Sequence, residues 1–287
     1  MVPPFDAGLH SRPSLRRSAT LRAQTRAAML RAMSEPETPR ALSFDANAPL
    51  PLTGERTIPG VPEENYWFQR HVAAYRYAAG IAAGRRTLDA GCGEGYGANI
   101  LADTAGEVVG VDVETAVVDR AAARYARARF ETANLVALPY PDGAFQAVVS
   151  LQVIEHLQGP QDFVAECHRV LAPGGVLVIS TPNRLTFSPD GMRNPFHTFE
   201  LSPGELRETV GQRFSAVQIL GTFHGPRLRA IETALRTPFP ERLLGQPVHE
   251  WPGWLRAIVE RVTEKDFRIG PRSPERSLDL IAVARRP

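Results

Sequence analysis

From residue 64 onward, short apolar runs alternate with segments in which apolar residues recur every three or four positions. The stretch ENYWFQRHVAAYRYAAGIAAG follows the second pattern and predicts a leading helix that ends at Gly80 or Gly84. The apolar runs after it predict strands at TLDA, EVVGVDV, ARFETA, AVVSLQV and GVLVISTP. Helical segments such as 114–126 and 160–171 separate these strands, which indicates a parallel, doubly wound sheet.

The C-terminal part of the chain continues the alternation. Ser202 and Glu205 form a Ser-x-x-Glu capping box, which predicts the start of a helix, and SAVQILGTFH predicts the strand after it. SLDLIAVA at 277–284 predicts the last strand. Residues 225–275, between these two strands, carry scattered prolines and two tryptophans and predict a helical insertion or cap.

Residues 1–50 lack this regularity. They are rich in arginine, proline and small polar residues, so we predict a disordered extension over 1–50 and one domain over 51–287. Two alternatives remain for the extension. The segment SLRRSATLRAQTRAAMLRAM forms a weakly amphipathic basic helix, or Met29 or Met33 is the true first residue.

Composition narrows the class of protein. With 287 residues, 43% of them hydrophobic, the chain can build a sizeable core. The sequence has neither a membrane-length apolar run nor the apolar block of a signal peptide, which predicts a cytoplasmic location. Cys92 and Cys167 are too far apart in sequence to suggest a disulfide framework. Basic and acidic residues number 33 and 31 and are interspersed after residue 50, which argues against nucleic-acid binding.

A glycine-rich loop, RTLDAGCGEGYGANI at 86–100, follows the first predicted strand, where α/β sheets bind ligands. A nicotinamide fingerprint would need a third glycine at Tyr96, and a phosphate-binding loop would need a lysine. Asp112, 21 residues after Gly91, is placed to accept hydrogen bonds from a ribose diol. An acid at this spacing also suits a nicotinamide cofactor, and a glycine turn that only packs a helix on the sheet is the structural alternative.

The loop has the pattern acid-x-Gly-x-Gly-x-Gly and resembles motif I of the class I S-adenosylmethionine-dependent methyltransferases, of the type 11 domain. ANLVALPYPDGAFQAVVS and VLAPGGVLVISTPN resemble two later motifs of the family, in the same order. The resemblance implies a Rossmann-like, seven-stranded sheet with an antiparallel last strand, an N-terminal helical lid and the insertion before that strand. It also implies an S-adenosylmethionine site formed by Asp89, Gly91, Gly93, Gly95, Asp112, Val113, Asn134, Leu135, Gln152 and Arg70.

One position of this site, Asn134, departs from the family pattern, and another part of the site is expected in the leading helix. Asn134 stands where the family has an acid beside the adenine, and its amide oxygen can accept a hydrogen bond from the adenine amino group. In ENYWFQRH, we expect Tyr66 or Trp67 to shield the sulfonium and Arg70 to bind the methionine carboxylate. Packing of the helix on the sheet would explain the two aromatic residues equally well.

The segment QVIEH at 152–156 follows the fourth strand and resembles the E-x-x-E-H sequence of ubiquinone-pathway O-methyltransferases, which holds a divalent cation. Gln152 replaces the first glutamate and cannot supply an anionic oxygen, so we predict that no metal is bound. Glu155 and His156 then position the acceptor, or His156 only caps a helix.

The segment STPNRLTFSPDGMRNPFHTFELS follows the fifth strand, and its polar residues include Asn183, Arg184 and Asn194, which suit a polyol unless the asparagines only make turn hydrogen bonds. We predict that His197 is the general base, with Glu200 holding its tautomer. His156 is the competing candidate, and Glu155 orients whichever imidazole acts.

Segments 52–71, 151–157 and 180–201, with FHGPR and the last strand, resemble mycobacterial methyltransferases associated with methylglucose lipopolysaccharide, a cytoplasmic O-methylated polysaccharide. The resemblance implies an actinobacterial enzyme that methylates a saccharide hydroxyl. The alternatives are an O-methyltransferase of a small phenol or quinone precursor and a cofactor-binding protein without catalysis. The sequence does not indicate the number of subunits.

Overall fold

The computed structural model describes residues 57–189, 194–236 and 251–287. The predicted extension over 1–50 lies outside these residues. The strands are β1 Arg86–Ala90, β2 Glu107–Asp112, β3 Arg129–Thr132, β4 Phe145–Leu151, β5 Leu171–Pro182, β6 Ser215–His224, β7 Phe267–Gly270 and β8 Asp279–Arg285. The α-helices are α1 Asn65–Ala82, α2 Tyr96–Leu101, α3 Thr115–Arg124, α4 Pro160–Val170, α5 Arg184–Phe187, α6 Pro203–Gly211, α7 Pro226–Leu235 and α8 Gly253–Val259.

The strands form one sheet in the order β3-β2-β1-β4-β5-β8-β6-β7. Strands β1 to β5 are parallel, and β8 runs antiparallel to both β5 and β6, as predicted for the last strand. The sheet has eight strands rather than the predicted seven, because β7 pairs with β6 at the edge. Strand β7 is only four residues long, FRIG, and lies inside the segment predicted as a helical insertion, so its pattern is too short to indicate a strand.

Helices cover both faces of the sheet, so the central strands are buried on both sides. Leu177 and Ile179 of β5 pack on one face, in the core that α4 and α6 complete. Val176 and Val178 point to the other face, where α1 and α2 pack. This explains the nearly continuous apolar runs of the central strands, which are typical of parallel sheets.

Local signals in the sequence place the helices close to their observed bounds. The capping box at the start of α6 is present: Ser202 N donates to the Glu205 carboxylate (2.8 Å), and Glu205 N donates to Ser202 Oγ (3.4 Å).

Cys92 and Cys167 are both buried and free. In the part of the chain that the structure describes, no helix combines the length and apolar character that a membrane crossing needs.

The segment predicted as a helical insertion contains α7 and α8 but also β7. Leu228 of α7, Leu255 of α8 and Trp251 pack against Tyr66 of α1 in a small separate core. The leading helix α1 is therefore packed on two sides, against this cluster and against the sheet.

Candidate active site

A cavity of about 380 Å³ opens beside the glycine loop, at the carboxyl ends of β1, β2 and β4. Its wall brings together most of the predicted cofactor residues, namely Gly91, Gly93, Asp112, Val113, Asn134, Leu135 and Gln152. His156 lies in the same wall. The motif residues come from segments far apart in sequence and meet here because parallel strands end at one edge of the sheet.

The three glycines of the motif have different roles. All three have positive φ, at +84° for Gly91, +49° for Gly93 and +78° for Gly95. A Cβ on Gly91 would lie 2.5 Å from Val153 Cγ2, and one on Gly95 would lie 2.6 Å from Ala121 Cβ. A Cβ on Gly93 would meet no atom within 4 Å. Gly91 and Gly95 thus allow close packing, whereas Gly93 keeps the backbone open to a ligand, and Gly95 is not among the residues of the wall.

Asp112 ends β2 and is nearly buried, at 8% exposure. Its Oδ2 accepts a hydrogen bond from Gly93 N (3.0 Å), and its Oδ1 accepts one from Glu114 N (3.1 Å). A carboxylate has further lone pairs, so both oxygens can accept additional hydrogen bonds from a vicinal diol. The open backbone at Gly93 and this carboxylate fit a ligand with a ribose.

Asp89 lies beneath the glycine loop and does not reach the cavity wall. It is fully buried and accepts a hydrogen bond from Tyr75 Oη (3.2 Å). Burial raises the pKa of Asp89 to about 7, and the nearby Asp112 charge adds to the rise, whereas the hydrogen bond from Tyr75 lowers it. Asp89 is thus placed behind the loop, where it can support it, and not in the wall with the other predicted cofactor residues.

The structure places Arg70, Tyr66 and Trp67, which the sequence predicts near the cofactor, outside the wall of the cavity. Arg70 pairs with Asp279 of β8 at 3.0 Å, with both side chains nearly buried, and Tyr66 Oη lies 2.6 Å from His224 Nε2. Tyr66 and Trp67 pack in the cluster with Leu228 and Trp251, which is the packing alternative weighed from the sequence. None of these three residues belongs to the cavity wall.

A later part of α1 borders the cavity instead, through His71 and Tyr75. His71 Nδ1 lies 3.0 Å from Tyr96 Oη, and burial, with the Arg70 charge as a second cause, lowers the pKa of His71 to about 3. His71 is therefore neutral at physiological pH. Neither residue was predicted from the sequence, although their four-residue spacing places them on one face of the predicted helix.

His156 follows β4 in a short 3₁₀ turn, Ile154–His156. Its Nδ1 lies 2.9 Å from the carbonyl oxygen of Phe196, which can only accept, so Nδ1 carries the proton and Nε2 of the neutral ring is a base. Gln152, just before the turn, has a φ of +57° and donates from Nε2 to Ser180 Oγ (3.1 Å).

His197 lies behind His156, with 5.2 Å between the ring centroids. Its Nδ1 lies 3.0 Å from Glu200 Oε1, so Glu200 can hold the tautomer as the sequence suggested. Burial lowers the pKa of His197 despite the opposing effect of Glu200. The two imidazoles that the sequence singled out are thus brought together, but His156 alone of the two lines the cavity.

Glu155, expected to orient the acting imidazole, has a buried side-chain oxygen, Oε2, with no hydrogen-bond partner among the described residues. Its main-chain oxygen accepts from Thr198 N (2.8 Å), which ties the segment carrying His197 to the turn carrying His156. Burial raises the pKa of Glu155 to about 8. One ligand atom each of Glu155, His156 and His197 lie within 4.8 Å of one another, a set that suits a metal preferring nitrogen ligands better than a hard cation.

The polar residues after β5 have structural partners. Asn183 is fully buried, donates to three main-chain oxygens between 274 and 277, and caps α5 through Oδ1. Asn194 Oδ1 accepts from Phe196 N (3.0 Å) in a turn. Arg184 pairs with Glu205 at 2.7 Å. The turn interpretation of the two asparagines is therefore supported over the polyol-binding one.

The doubly wound sheet, the open glycine loop and the acid at the end of β2 define a nucleoside-binding α/β enzyme. A sequence profile described as "Methyltransferase domain" matches residues 88–179. A protein of Mycolicibacterium smegmatis named as a probable S-adenosylmethionine-dependent methyltransferase is 48% identical over 248 residues, 83% of this chain and 96% of that protein. The chain belongs to this family of S-adenosylmethionine-dependent methyltransferases.

Other comparisons agree with the family. A Mycobacterium tuberculosis protein of the same description is 44% identical over 266 residues, 88% of this chain and 96% of that protein. A ubiquinone biosynthesis O-methyltransferase of Psychrobacter arcticus is 33% identical, over 36% of this chain and 42% of that protein. The crystal structure of a Thermotoga maritima methyltransferase has a TM-score of 0.55 at 15% identity, covering 77% of this chain and 93% of that one, and shows the fold alone.

The unequal roles of the glycines lead to a prediction. Gly93→Ala should weaken binding of S-adenosylhomocysteine by at least about tenfold, or ~1.4 kcal/mol, because the methyl group would occupy the open cavity. Its cost in folding stability should be limited to the ~1–2 kcal/mol of a left-handed backbone. Gly95→Ala should destabilise the fold further, by ~1–3 kcal/mol for the clash with Ala121.

Calorimetric titration and thermal unfolding of both variants measure the two effects separately. Equal losses of stability, with equal affinities for S-adenosylhomocysteine, would show that Gly93 and Gly95 have the same role.

Proposed function

We propose that this enzyme transfers a methyl group to a hydroxyl of a saccharide, with His156 as the general base. The observation that carries the proposal is the pair of neighbouring imidazoles, His156 in the wall of the cavity and His197 behind it. Sugar hydroxyls are weaker acids than phenols, which ionise near pH ~10, and so depend more on a positioned base. The two neighbouring imidazoles therefore support a weakly acidic acceptor, such as a sugar hydroxyl, which needs a base to remove its proton.

S-adenosylmethionine, when bound, supplies a methyl group attached to a sulfonium sulfur, and this sulfur is a good leaving group because it departs as a neutral thioether. We assign the ribose diol to Asp112 and the adenine to the apolar side chains of Val113 and Leu135, which lie in the same wall. Asn134 Oδ1 already accepts from Val136 N (3.1 Å) and has a second lone pair for the adenine amino group. With Arg70 paired to Asp279, the methionine end is left to main-chain amides of the glycine loop and to His71 and Tyr96.

His156 is favoured over His197, which reverses the order expected from the sequence. Nε2 of His156 is the basic atom of a ring that lines the cavity, so it can take the proton of an acceptor hydroxyl placed there. His197, whose ring Glu200 holds, supports His156 from behind. The role of Glu155 is to tie the two segments together through its main-chain oxygen.

The partial match to a ubiquinone biosynthesis O-methyltransferase favours a second candidate acceptor, a phenol. A panel of glucose, mannose, their oligosaccharides and simple phenols, incubated with methyl-labelled S-adenosylmethionine, distinguishes the two. We expect label in a sugar ether and little in the phenols. Label in the phenols alone would overturn the saccharide assignment, and binding without any transfer would indicate a protein that holds the cofactor without catalysis.

A further inference from the structure

We infer that the hydrogen-bonded pair of His71 and Tyr96 binds the amino-acid end of S-adenosylmethionine, in the role that the sequence predicted for Arg70. This inference rests on the proposed function and deepens its assignment of the methionine end. Both side chains lie in the wall of the cavity beside the glycine loop, with 3.0 Å between His71 Nδ1 and Tyr96 Oη. The amino-acid end of the cofactor is a zwitterion, so its site needs a donor for a carboxylate and an acceptor for an ammonium group.

The amides of the glycine loop are mostly committed to hydrogen bonds within the protein. Gly91 N and Cys92 N both donate to the main-chain oxygen of Val111, at 2.8 and 2.9 Å. Gly93 N donates to Asp112 Oδ2 at 3.0 Å. A carboxylate beside these residues would have to share amides that already have an acceptor, so it depends on side-chain donors of the wall.

The side chains of the wall narrow the choice of donor. Among the described residues, the wall contains no lysine or arginine. Tyr75 lies in the wall, but its hydroxyl already donates to Asp89 at 3.2 Å. His71 and Tyr96, in contrast, make no side-chain hydrogen bond to any described residue except each other. The pair therefore keeps hydrogen-bonding capacity that a ligand can use.

The pair offers one donor and one acceptor in either proton arrangement. Because burial lowers the pKa of His71, its imidazole is neutral and carries one proton, and the phenol of Tyr96 carries another. If Tyr96 donates to Nδ1, then the imidazole Nε2–H is the remaining donor and the phenol oxygen the remaining acceptor. If Nδ1 donates, the phenol O–H is the remaining donor and Nε2 the remaining acceptor. In both cases the donor suits the carboxylate and the acceptor suits the ammonium group.

Packing between α1 and α2 fixes the position of the pair. Tyr96 begins α2, and the rings of Phe68 and Tyr75 from α1 pack edge-on against it, at 5.1 and 5.8 Å between centroids. Gly97 allows this approach, because a Cβ at that position would overlap the ring of Tyr75. The helices are thus held where His71 meets Tyr96, so the pair is preorganised for a ligand.

The test compares two ligands by calorimetric titration, directly or by displacement. S-adenosylhomocysteine carries the amino-acid end, and 5′-methylthioadenosine has the same adenosine and sulfur without it. His71→Phe should weaken binding of S-adenosylhomocysteine by about tenfold or more, and leave binding of methylthioadenosine within about twofold of the wild-type value. His168→Phe is the matched control, because His168 is a half-buried histidine of α4 outside the cavity wall, and it should bind both ligands as the wild type does.

Tyr96→Phe is a second, milder variant. It keeps the ring that packs against Phe68 and Tyr75 and removes only the hydroxyl, so the imidazole of His71 retains its own donor. We expect a smaller loss, of about threefold, that is again confined to S-adenosylhomocysteine. Thermal unfolding reports whether each variant folds, and Tyr96→Phe decides the comparison if His71→Phe does not.

Two results would overturn the inference. An equal loss of affinity for both ligands would show that the pair only shapes the cavity, and unchanged affinity for both would show that the amino-acid end is held elsewhere. The titrations contain no acceptor, so they are separate from the test of the proposed function. If no sugar is methylated but the loss is confined to S-adenosylhomocysteine, the proposed acceptor fails and the assignment of His71 and Tyr96 stands.

Discussion

Replacing His156 by asparagine is expected to lower kcat by about 10²- to 10⁴-fold, the usual contribution of a general base. The side-chain amide of asparagine can still donate to the Phe196 carbonyl, as Nδ1 of His156 does at 2.9 Å, so the turn should keep its conformation. Affinity for S-adenosylhomocysteine should change little.

The matched variant is His197→Asn, for which we expect a smaller loss of kcat, because this ring lies behind His156 rather than in the cavity wall. Near-normal turnover by His156→Asn, together with an inactive His197→Asn, would exchange the two assignments. Chelation provides a further control, since Glu155, His156 and His197 have metal-ligand spacing. Loss of wild-type activity with a chelator, restored by a divalent cation, would make the imidazoles ligands instead of bases.

Asp112→Ala is expected to weaken binding of S-adenosylhomocysteine by at least about tenfold, because two charge-assisted hydrogen bonds to the ribose are worth ~2–4 kcal/mol. The substitution also removes the acceptor for Gly93 N and Glu114 N, which shape the glycine loop. Asp112→Asn separates the two effects, since its amide oxygen can retain one of these contacts while the charge is lost. Calorimetric titration gives the affinities, and thermal unfolding reports the effect on the fold.

Asp119→Asn is the matched control, because Asp119 is an exposed carboxylate on α3, outside the cavity wall. It removes the same charge and should bind S-adenosylhomocysteine as the wild type does. Unchanged affinity in both Asp112 variants, with normal unfolding, would show that the ribose is held elsewhere.

Most of the secondary structure was predictable because its signals are local. The leading helix, the five parallel strands and the capping box at Ser202 are each encoded within a short segment, by periodicity or by a cap. Strand β7 was not predictable from its four residues, since it becomes a strand by pairing with β6 at the edge of the sheet. The motif residues of the glycine loop and Asp112 were also found from the sequence, because their spacing follows from one strand-helix-strand unit.

The orientation of α1 shows why the rest of the site needed the structure. Its residues are buried on two sides, against the sheet and against the cluster around Tyr66, so its apolar pattern does not indicate which face meets the cavity. Arg70 pairs with Asp279, a residue near the other end of the chain, and lies outside the cavity wall. No local pattern encodes such a pair.

The sequence by itself therefore determined the class of sheet, the glycine loop with Asp112 as the candidate acid for the ribose, and the candidacy of His156 and His197. Only the tertiary structure placed Asp89 behind the loop, His71 rather than Arg70 in the cavity wall, and Glu200 against His197. The physical reason is the distance along the sequence over which each signal acts. Periodicity, caps and turns depend on neighbours in sequence, whereas burial, ion pairing and the shape of a cavity depend on which distant segments the fold brings into contact.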